Sequence, residues 1–135
     1  MQWKRKGELA AIQAIRASNG QTSYTIVRPG GLSDRKEAVR LSGLRISQGD
    51  VVGGVITRDD TAKVCVEALR SDQARDTVFE LVTWPADKAL AKAPADWPAF
   101  FGKLQPNDGA HAPGFYPEEA QQEAAPAQEA DKTDL

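Results

Sequence analysis

Residues 23–32, which read SYTIVRPGGL, limit the folds open to this chain. The aromatic and β-branched residues at 24–28 predict a buried strand. Pro29 has no backbone N–H for a ladder, so the strand stops there. Gly30 and Gly31 lack the Cβ atoms that would keep a ligand away from the main chain. Because ligands of open α/β sheets bind at the carboxyl ends of strands, this turn is the first candidate site.

The first helix is predicted at residues 3–18, where apolar side chains recur at helical spacing and no proline interrupts them. Asn19 and Gly20 follow, and both tolerate the left-handed conformation that commonly ends helices. Residues 33–55 predict an irregular excursion with one or two small strands. The candidates for these strands are residues 38–41, 51–52 and 55–56.

A second helix begins at Thr57, because this hydroxyl and Asp60 three residues later fit a capping box. One apolar stripe is expected to face the core: Ala62, Cys65, Val66 and Leu69. Residues 77–83 predict a second strand, which Trp84 and Pro85 end. A third helix is expected from about residue 94 or 96 to residue 104, with four apolar anchors: Trp97, Phe100, Phe101 and Leu104. The order of these elements indicates an α/β fold with parallel strands and helical crossovers.

Composition excludes several classes of protein. Of the 135 residues, 41% are hydrophobic and 27% charged, as in soluble globular domains. Residues 117–135 hold six acids and one base, which gives them a charge of −5. Since the whole chain carries −2, residues 1–116 carry +3. The sequence predicts no concentrated basic face, so nucleic-acid binding is not expected. It also has no apolar run long enough to predict a membrane span. One cysteine, Cys65, excludes an internal disulfide, and no secretory signal is recognisable, so a cytoplasmic protein is expected.

Several stretches together resemble the second half of an atypical short-chain dehydrogenase/reductase of the NmrA-like NAD(P)-binding family: WKRKGE (3–8), IRASNG (15–20) and YTIVRPGGL (24–32). Residues 56–69, 77–81 and 96–101 are similar to that family's next helix, last sheet strand and closing helix. The resemblance covers residues 2–104. It implies an α/β fold, the C-terminal part of a Rossmann-type parallel sheet with flanking helices, incomplete without the N-terminal nucleotide-binding half.

Two parts of the family pattern are absent from the sequence. No Gly-rich phosphate loop opens a helix, since the glycines of residues 49–54 have the wrong spacing. The tyrosine of the family's Tyr-x-x-x-Lys pair would fall one residue before Met1. Tyr24 and Tyr116 lie at unrelated positions. We therefore expect residues 1–104 to be the C-terminal half of an NAD(P)-binding domain and residues 105–135 to be a disordered acidic tail.

The resemblance assigns the candidate site residues. Lys4 occupies the position of the family's lysine, which implies a catalytic and cofactor-binding role. The alternative is an exposed residue at the start of the helix or an i,i+4 partner of Glu8. Four consecutive residues match the family's turn near the nicotinamide and imply cofactor binding: Arg28, Pro29, Gly30 and Gly31. The alternative is a plain strand-ending turn with Arg28 in a salt bridge. Leu32 and Arg58 are assigned to the substrate side. Asp60 could shape that side as well, and its alternative role is helix capping alone.

Other reactive side chains are given no role in a site. Cys65 is expected in the core, because buried free cysteine behaves as a small hydrophobe. His111 has no partner at metal-ligand spacing, so no metal is expected.

The resemblance implies the C-terminal portion of an NAD(P)-dependent oxidoreductase, with NADP or NAD as cofactor and the nicotinamide and substrate side of the site in this chain. One alternative is a non-catalytic, dinucleotide-sensing or regulatory NmrA-like protein. Another is a remnant that acts only with a partner chain. The first strand would lack one neighbour, so a homodimer or a partner chain is expected at its exposed edge.

Overall fold

The computed structural model describes residues 2–34, 43–49, 52–83 and 93–107. They form a five-stranded sheet with helices against both faces, which confirms the predicted α/β class. The strands lie in the order β1-β5-β4-β2, and β3 also pairs with β5. In chain order the elements are α1 (Gln2–Arg16), β1 (Thr25–Pro29), β2 (Gly31–Ser33), β3 (Leu44–Ser47), β4 (Val55–Thr57), α2 (Arg58–Leu69), a 3-10 turn (Asp72–Ala74), β5 (Thr77–Thr83) and α3 (Trp97–Phe101).

Strand β5 is the centre of the sheet. It pairs in parallel with β1, and the register places Ile26 beside Val78 and Arg28 beside Glu80. On its other side β5 pairs antiparallel with β3. Strands β2 and β4 form a second parallel pair. The parallel β1–β5 pair, with α2 between its two strands in the chain, confirms the predicted parallel strands with a helical crossover. The antiparallel pairing of β5 with β3 and β4, and the short β2, were not predicted.

The excursion between β1 and α2 is only partly described. The predicted strand at residues 55–56 is confirmed as β4. The candidate at residues 38–41 lies outside the described residues, as does Val51 of the third candidate. The tail from residue 108 onward also lies outside them. The folded part continues to Asn107, whose backbone N–H donates to the Asp76 carbonyl at 2.7 Å.

Side-chain alternation along the strands gives the sheet two different faces. Ile12 of α1 is fully buried against Val78, with Ile26 beside them. On the opposite face Phe79 and Leu81 belong to a larger core. That core includes side chains from both later helices and β4: Ile56, Val64, Ala68 and Phe101. Each fully buried apolar side chain of this kind contributes about 1.5–3 kcal/mol, so β5 is anchored from both sides.

The helix ends follow the predicted signals. Asn19 and Gly20 have φ of +55° and +79°, the left-handed conformation expected after α1. The Thr57 hydroxyl accepts a hydrogen bond from the Asp60 backbone N–H at 3.0 Å and so caps α2. Asp96 caps α3 in the same manner through the Ala99 N–H. No described helix is long and apolar enough to cross a membrane.

The orientation of α2 corrects the predicted apolar stripe. Leu69 is 87% exposed and Val66 is 42% exposed, whereas Val64 is fully buried together with Ala68 and Asp60. Cys65 lies at the boundary and is half-buried. The physical reason is that the closely fitting Val64 and Ala68 pack against the sheet, and a helix can present only one face to it. The four-residue apolar pattern therefore placed the buried face one residue out of position.

The glycine turn also has a different explanation from the predicted one. A Cβ atom at Gly30 would overlap the carbonyl oxygen of Gly54 and lie 2.9 Å from Val82 Cγ1. The Gly30 N–H donates to the Leu81 carbonyl, and the Gly31 N–H donates to the Gly54 carbonyl, both at 2.9 Å. The missing Cβ of Gly30 thus lets the chain cross from β5 to β4, and close approach of a ligand is not needed to account for it.

We expect Gly30→Ala to destabilise the chain by roughly 3 kcal/mol, because backbone must move to admit the methyl group. Urea unfolding followed by circular dichroism measures this change in the free energy of unfolding. Gly7→Ala is the matched control: no atom lies within 4 Å of its Cβ position in α1. It should stabilise the chain by about 0.5–1 kcal/mol through helix propensity. Equal effects of the two substitutions would contradict this account of Gly30.

The orientation of α2 predicts opposite results for two apolar residues of the same helix. Val64→Ala should cost about 2 kcal/mol, since it leaves a cavity against the sheet. Leu69→Ala should change the free energy of unfolding by no more than about 0.5 kcal/mol, as for other surface positions. Thermal and urea unfolding of both variants provide the measurement. A larger loss in the free energy of unfolding from Leu69→Ala would show that Leu69 is buried, as the apolar stripe predicts.

Candidate functional site

A cavity of about 470 Å³ opens beside the carboxyl ends of β1 and β5, next to the first two turns of α1. Five residues predicted for the site line it: Lys4, Arg28, Pro29, Gly30 and Leu32. They come from α1, from β1 and its turn, and from β2. The parallel pairing of β1 with β5 brings these elements together, because it aligns the carboxyl ends of both strands at one edge.

The base of this cavity is a cluster of charged side chains around Arg28. Its guanidinium Nη2 donates to Glu8 Oε2 at 2.7 Å, and its Nε lies 3.2 Å and 3.3 Å from the two Glu8 oxygens. Its Nη1 lies 3.5 Å from Glu80 Oε1. The Ser47 hydroxyl donates to the other Glu80 oxygen at 3.2 Å. We call Glu8, Arg28, Glu80 and Ser47 the charge cluster; it joins α1, β1, β5 and β3.

Burial gives the charge cluster its energetic weight. The Glu80 side chain is 6% exposed and the Arg28 side chain 17% exposed. Taking charges out of water is costly, and losing one partner of a buried pair typically costs about 3–5 kcal/mol because the other is left uncompensated. The salt-bridge alternative for Arg28 is therefore realised in the structure, in the same residue that lines the cavity.

Sequence reasoning missed Glu8 and Glu80 as cavity residues. For Glu80 a signal was present, since it is the one acid in the strand TVFELVT and its neighbours are all buried or half-buried. An acid inside such a strand predicts a basic partner on the adjacent strand. Arg28 stands at the equivalent place in TIVRP, and the register pairs the two. Glu8 was considered only as a partner for Lys4.

Lys4 lies on the first turn of α1, exposed at the cavity. Across the described part of the chain it forms no ion pair, and Glu8, its expected partner one turn later, is bonded to Arg28 instead. Lys4 is not on the core-facing side of α1, where Ile12 is the buried residue. The helix turns Lys4 toward the cavity from its rim.

Two predicted site residues do not line the cavity. Gly31 faces Val55 Cγ1 at 3.3 Å, as part of the β2–β4 pairing. Arg58 forms an exposed salt bridge with Asp34. Asp60 is buried near the start of α2, where its backbone N–H donates to the Thr57 hydroxyl that caps the helix. Leu32, which was predicted, contributes apolar surface to the cavity. Val52 and Val82, which were not predicted, add to that surface.

Other reactive groups lie away from the cavity. Tyr24 precedes β1, at the opposite end of the strand from Pro29, and burial raises the pKa of its phenol. Burial likewise raises the pKa of the Cys65 thiol in α2, which lowers the fraction of reactive thiolate. His111 lies outside the described residues. In the ranges that the structure covers, no group of three His, Cys, Asp or Glu side chains is placed to hold a metal ion.

Comparison with known proteins relates this geometry to a class of ligand. Residues 1–72 match a family model described as NAD(P)H-binding. The chain is 33% identical over 106 residues to sanguinarine reductase of Eschscholzia californica, an alignment that covers 76% of this chain and 35% of that protein. It is 35% identical over 85 residues to an uncharacterized chloroplastic protein of Arabidopsis thaliana, covering 62% of this chain and 24% of that protein. The chain thus spans about a third or less of the length of these relatives.

Proposed function

The chain belongs to the NAD(P)H-binding family, within the atypical short-chain dehydrogenases and reductases. From this premise we propose that it forms the nicotinamide and substrate side of the site of an NAD(P)-dependent oxidoreductase. One observation carries the proposal: Lys4, Arg28 and the Pro29–Gly30 turn meet in a single cavity at the carboxyl ends of two parallel strands. That is where open α/β sheets bind ligands.

The cavity walls suit a ring with polar substituents. Leu32, Val52 and Val82 offer apolar surface to a flat ring. Lys4, which also lines the cavity, offers an exposed ammonium group that can donate to ribose hydroxyls. When bound, the dinucleotide supplies hydride transfer; the chain's part is to bind and orient its ring.

The charge of the cavity bears on the ligand it admits. Three cationic side chains line it, Lys4, Arg5 and Arg28, against the carboxylates Glu8 and Glu80. Within the charge cluster Arg28 pairs with both carboxylates, whereas the Lys4 ammonium forms no ion pair in the described part of the chain. A neutral or anionic ligand is therefore favoured beside Lys4 over a cationic one. Reduction is the reaction that the name of the Eschscholzia relative supports.

A non-catalytic, dinucleotide-sensing role is the second candidate. It is favoured by one observation: no tyrosine lines the cavity in the described residues, since Tyr24 lies at the far end of β1. Without a phenol beside Lys4, a proton donor for a carbonyl substrate is missing from this chain's side of the site. Hydride transfer from NADPH by the longer protein would decide between the two roles.

The edge of β1 supports the proposal that a partner completes the fold. In the described residues β1 pairs with β5 alone. An uncovered edge exposes backbone N–H and C=O groups that recruit another strand. The occupant that we propose is a strand from a second polypeptide segment, either a second copy or a partner chain.

Binding of the nicotinamide end can be measured by NMR titration of the isotope-labelled chain with reduced nicotinamide mononucleotide. We expect weak binding, with the largest amide shifts at Gly30, Leu32 and Val82. Lys4→Met should weaken it roughly tenfold, the cost of losing a hydrogen bond from a charged group. Lys6→Met is the control, because Lys6 belongs to the same helix and stacks over Trp3 at 4.9 Å without lining the cavity.

Two outcomes would contradict this proposal. Shifts confined to α2 and α3 would place the ligand elsewhere, and equal affinities of the Lys4→Met variant and the unmodified chain would remove Lys4 from the site. We also expect NADPH to bind this chain weakly or not at all in calorimetry. Micromolar affinity would show that the chain holds the whole dinucleotide by itself.

The open edge of β1 predicts self-association, partner capture or aggregation. Size-exclusion chromatography with light scattering, run over a series of concentrations, measures the mass of the particle. We expect a mass above that of one chain, 14.6 kDa, with the excess growing with concentration. A monomer that persists at the highest concentration would sink the partner proposal and leave the cavity proposal untouched.

A further inference from the structure

The charge cluster has a second consequence, which concerns Lys4. Glu8 lies one helical turn after Lys4, and both side chains line the cavity. The Glu8 carboxylate is held by Arg28 through contacts of 2.7 Å, 3.2 Å and 3.3 Å. We infer that Glu8 is a positioning residue: through Arg28 it fixes the cavity end of α1 and thereby places the Lys4 ammonium at the cavity.

The packing of α1 explains why such a device is needed. The apolar contacts of α1 with the sheet are centred on Ile12, with Leu9 partly buried beside it. Before Leu9 the helix has no buried apolar residue among those whose side chains are described, and Trp3 is 82% exposed. Hydrophobic packing therefore holds the middle of α1. The polar contacts of Glu8 with Arg28 join the second turn of the helix to the sheet.

The anchor itself is fixed in place. Arg28 sits on β1 beside Glu80 of β5 in the strand register, and its Nη1 lies 3.5 Å from the Glu80 carboxylate. Glu80 in turn accepts from the Ser47 hydroxyl of β3. A guanidinium presents several donors in a rigid plane, so it can hold two carboxylates at once. Glu8 is thus bound to a group that belongs to the rigid centre of the sheet.

The inference rests on the proposed role of Lys4 for its significance, but its test needs no cofactor. Nitroxide labels are placed at Lys4→Cys and Ala62→Cys in a Cys65→Ala background, and the distance distribution between them is measured by double electron–electron resonance. A second pair uses Ala14→Cys, on the exposed side of α1 beyond Ile12. Glu8→Gln should broaden the distribution from position 4 about twofold and leave that from position 14 unchanged.

The control removes an ion pair of the same length elsewhere. Lys63 and Glu67 of α2 are 2.7 Å apart, so Glu67→Gln loses a comparable contact and should change neither distribution. If Glu8→Gln does not fold, Glu8→Asp shortens the side chain, keeps its charge and should give the same local broadening. An unchanged distribution from position 4 in a folded variant would overturn the inference. Equal broadening from both positions would also overturn it, because Glu8 would then support α1 as a whole.

Success or failure here is separable from that of the proposed function. Lys4 can be positioned by Glu8 even if reduced nicotinamide mononucleotide does not bind. Conversely, binding that depends on Lys4 can persist when Glu8→Gln leaves the labels undisturbed. The resonance measurement decides the first question and the titration decides the second.

Discussion

The pairing of Arg28 with Glu80 across β1 and β5 is the interaction on which the site is built. Both strands are otherwise apolar on that face, with Ile26 and Val78 one step earlier in the register. A buried guanidinium without a partner would destabilise the fold, and so would a carboxylate. Side by side, their attraction offsets the cost of removing each from water. A shift of one residue in the register would turn one charge toward the opposite core, where Phe79 and Leu81 pack. The pair therefore stabilises one alignment of the strands, and that alignment places both carboxyl ends at the cavity.

Local signals explain which parts of the fold were predictable. Helix α1, strand β5 and the caps at Thr57 and Asp96 follow from short patterns whose physics is contained within a few residues. The aromatic anchors of α3 were predictable for the same reason: Trp97, Phe100 and Phe101 recur at helical spacing and pack together against the core, with ring centroids 5.4–5.8 Å apart. The resemblance to short-chain dehydrogenases also predicted Lys4 in one site with Arg28 and Leu32, although Lys4 is far from both along the chain.

The missed features all depend on long-range contacts. The buried face of α2 is set by the fit of Val64 and Ala68 against the sheet, and apolar spacing could not distinguish it from the stripe ending at Leu69. Strand β3 exists because β5 offers it an edge, and its own four residues carry little signal. Gly30 lines the cavity as predicted, but the sequence could not show that Gly54 and Val82, from elsewhere in the chain, leave no room for a Cβ atom there. Glu8 was given the wrong partner because Arg28 is adjacent only after folding.

The open edge and the cavity share one strand, and this ties the proposed partner to the proposed ligand. Strand β1 contributes Arg28 and Pro29 to the cavity wall, while its other edge is unpaired in the described residues. A strand added to that edge would order β1 and extend the wall of the cavity beside Pro29. A ligand in the cavity would order the same strand from the other direction. Because each event stabilises the conformation that the other requires, binding and pairing are linked, and each should strengthen the other by the same factor.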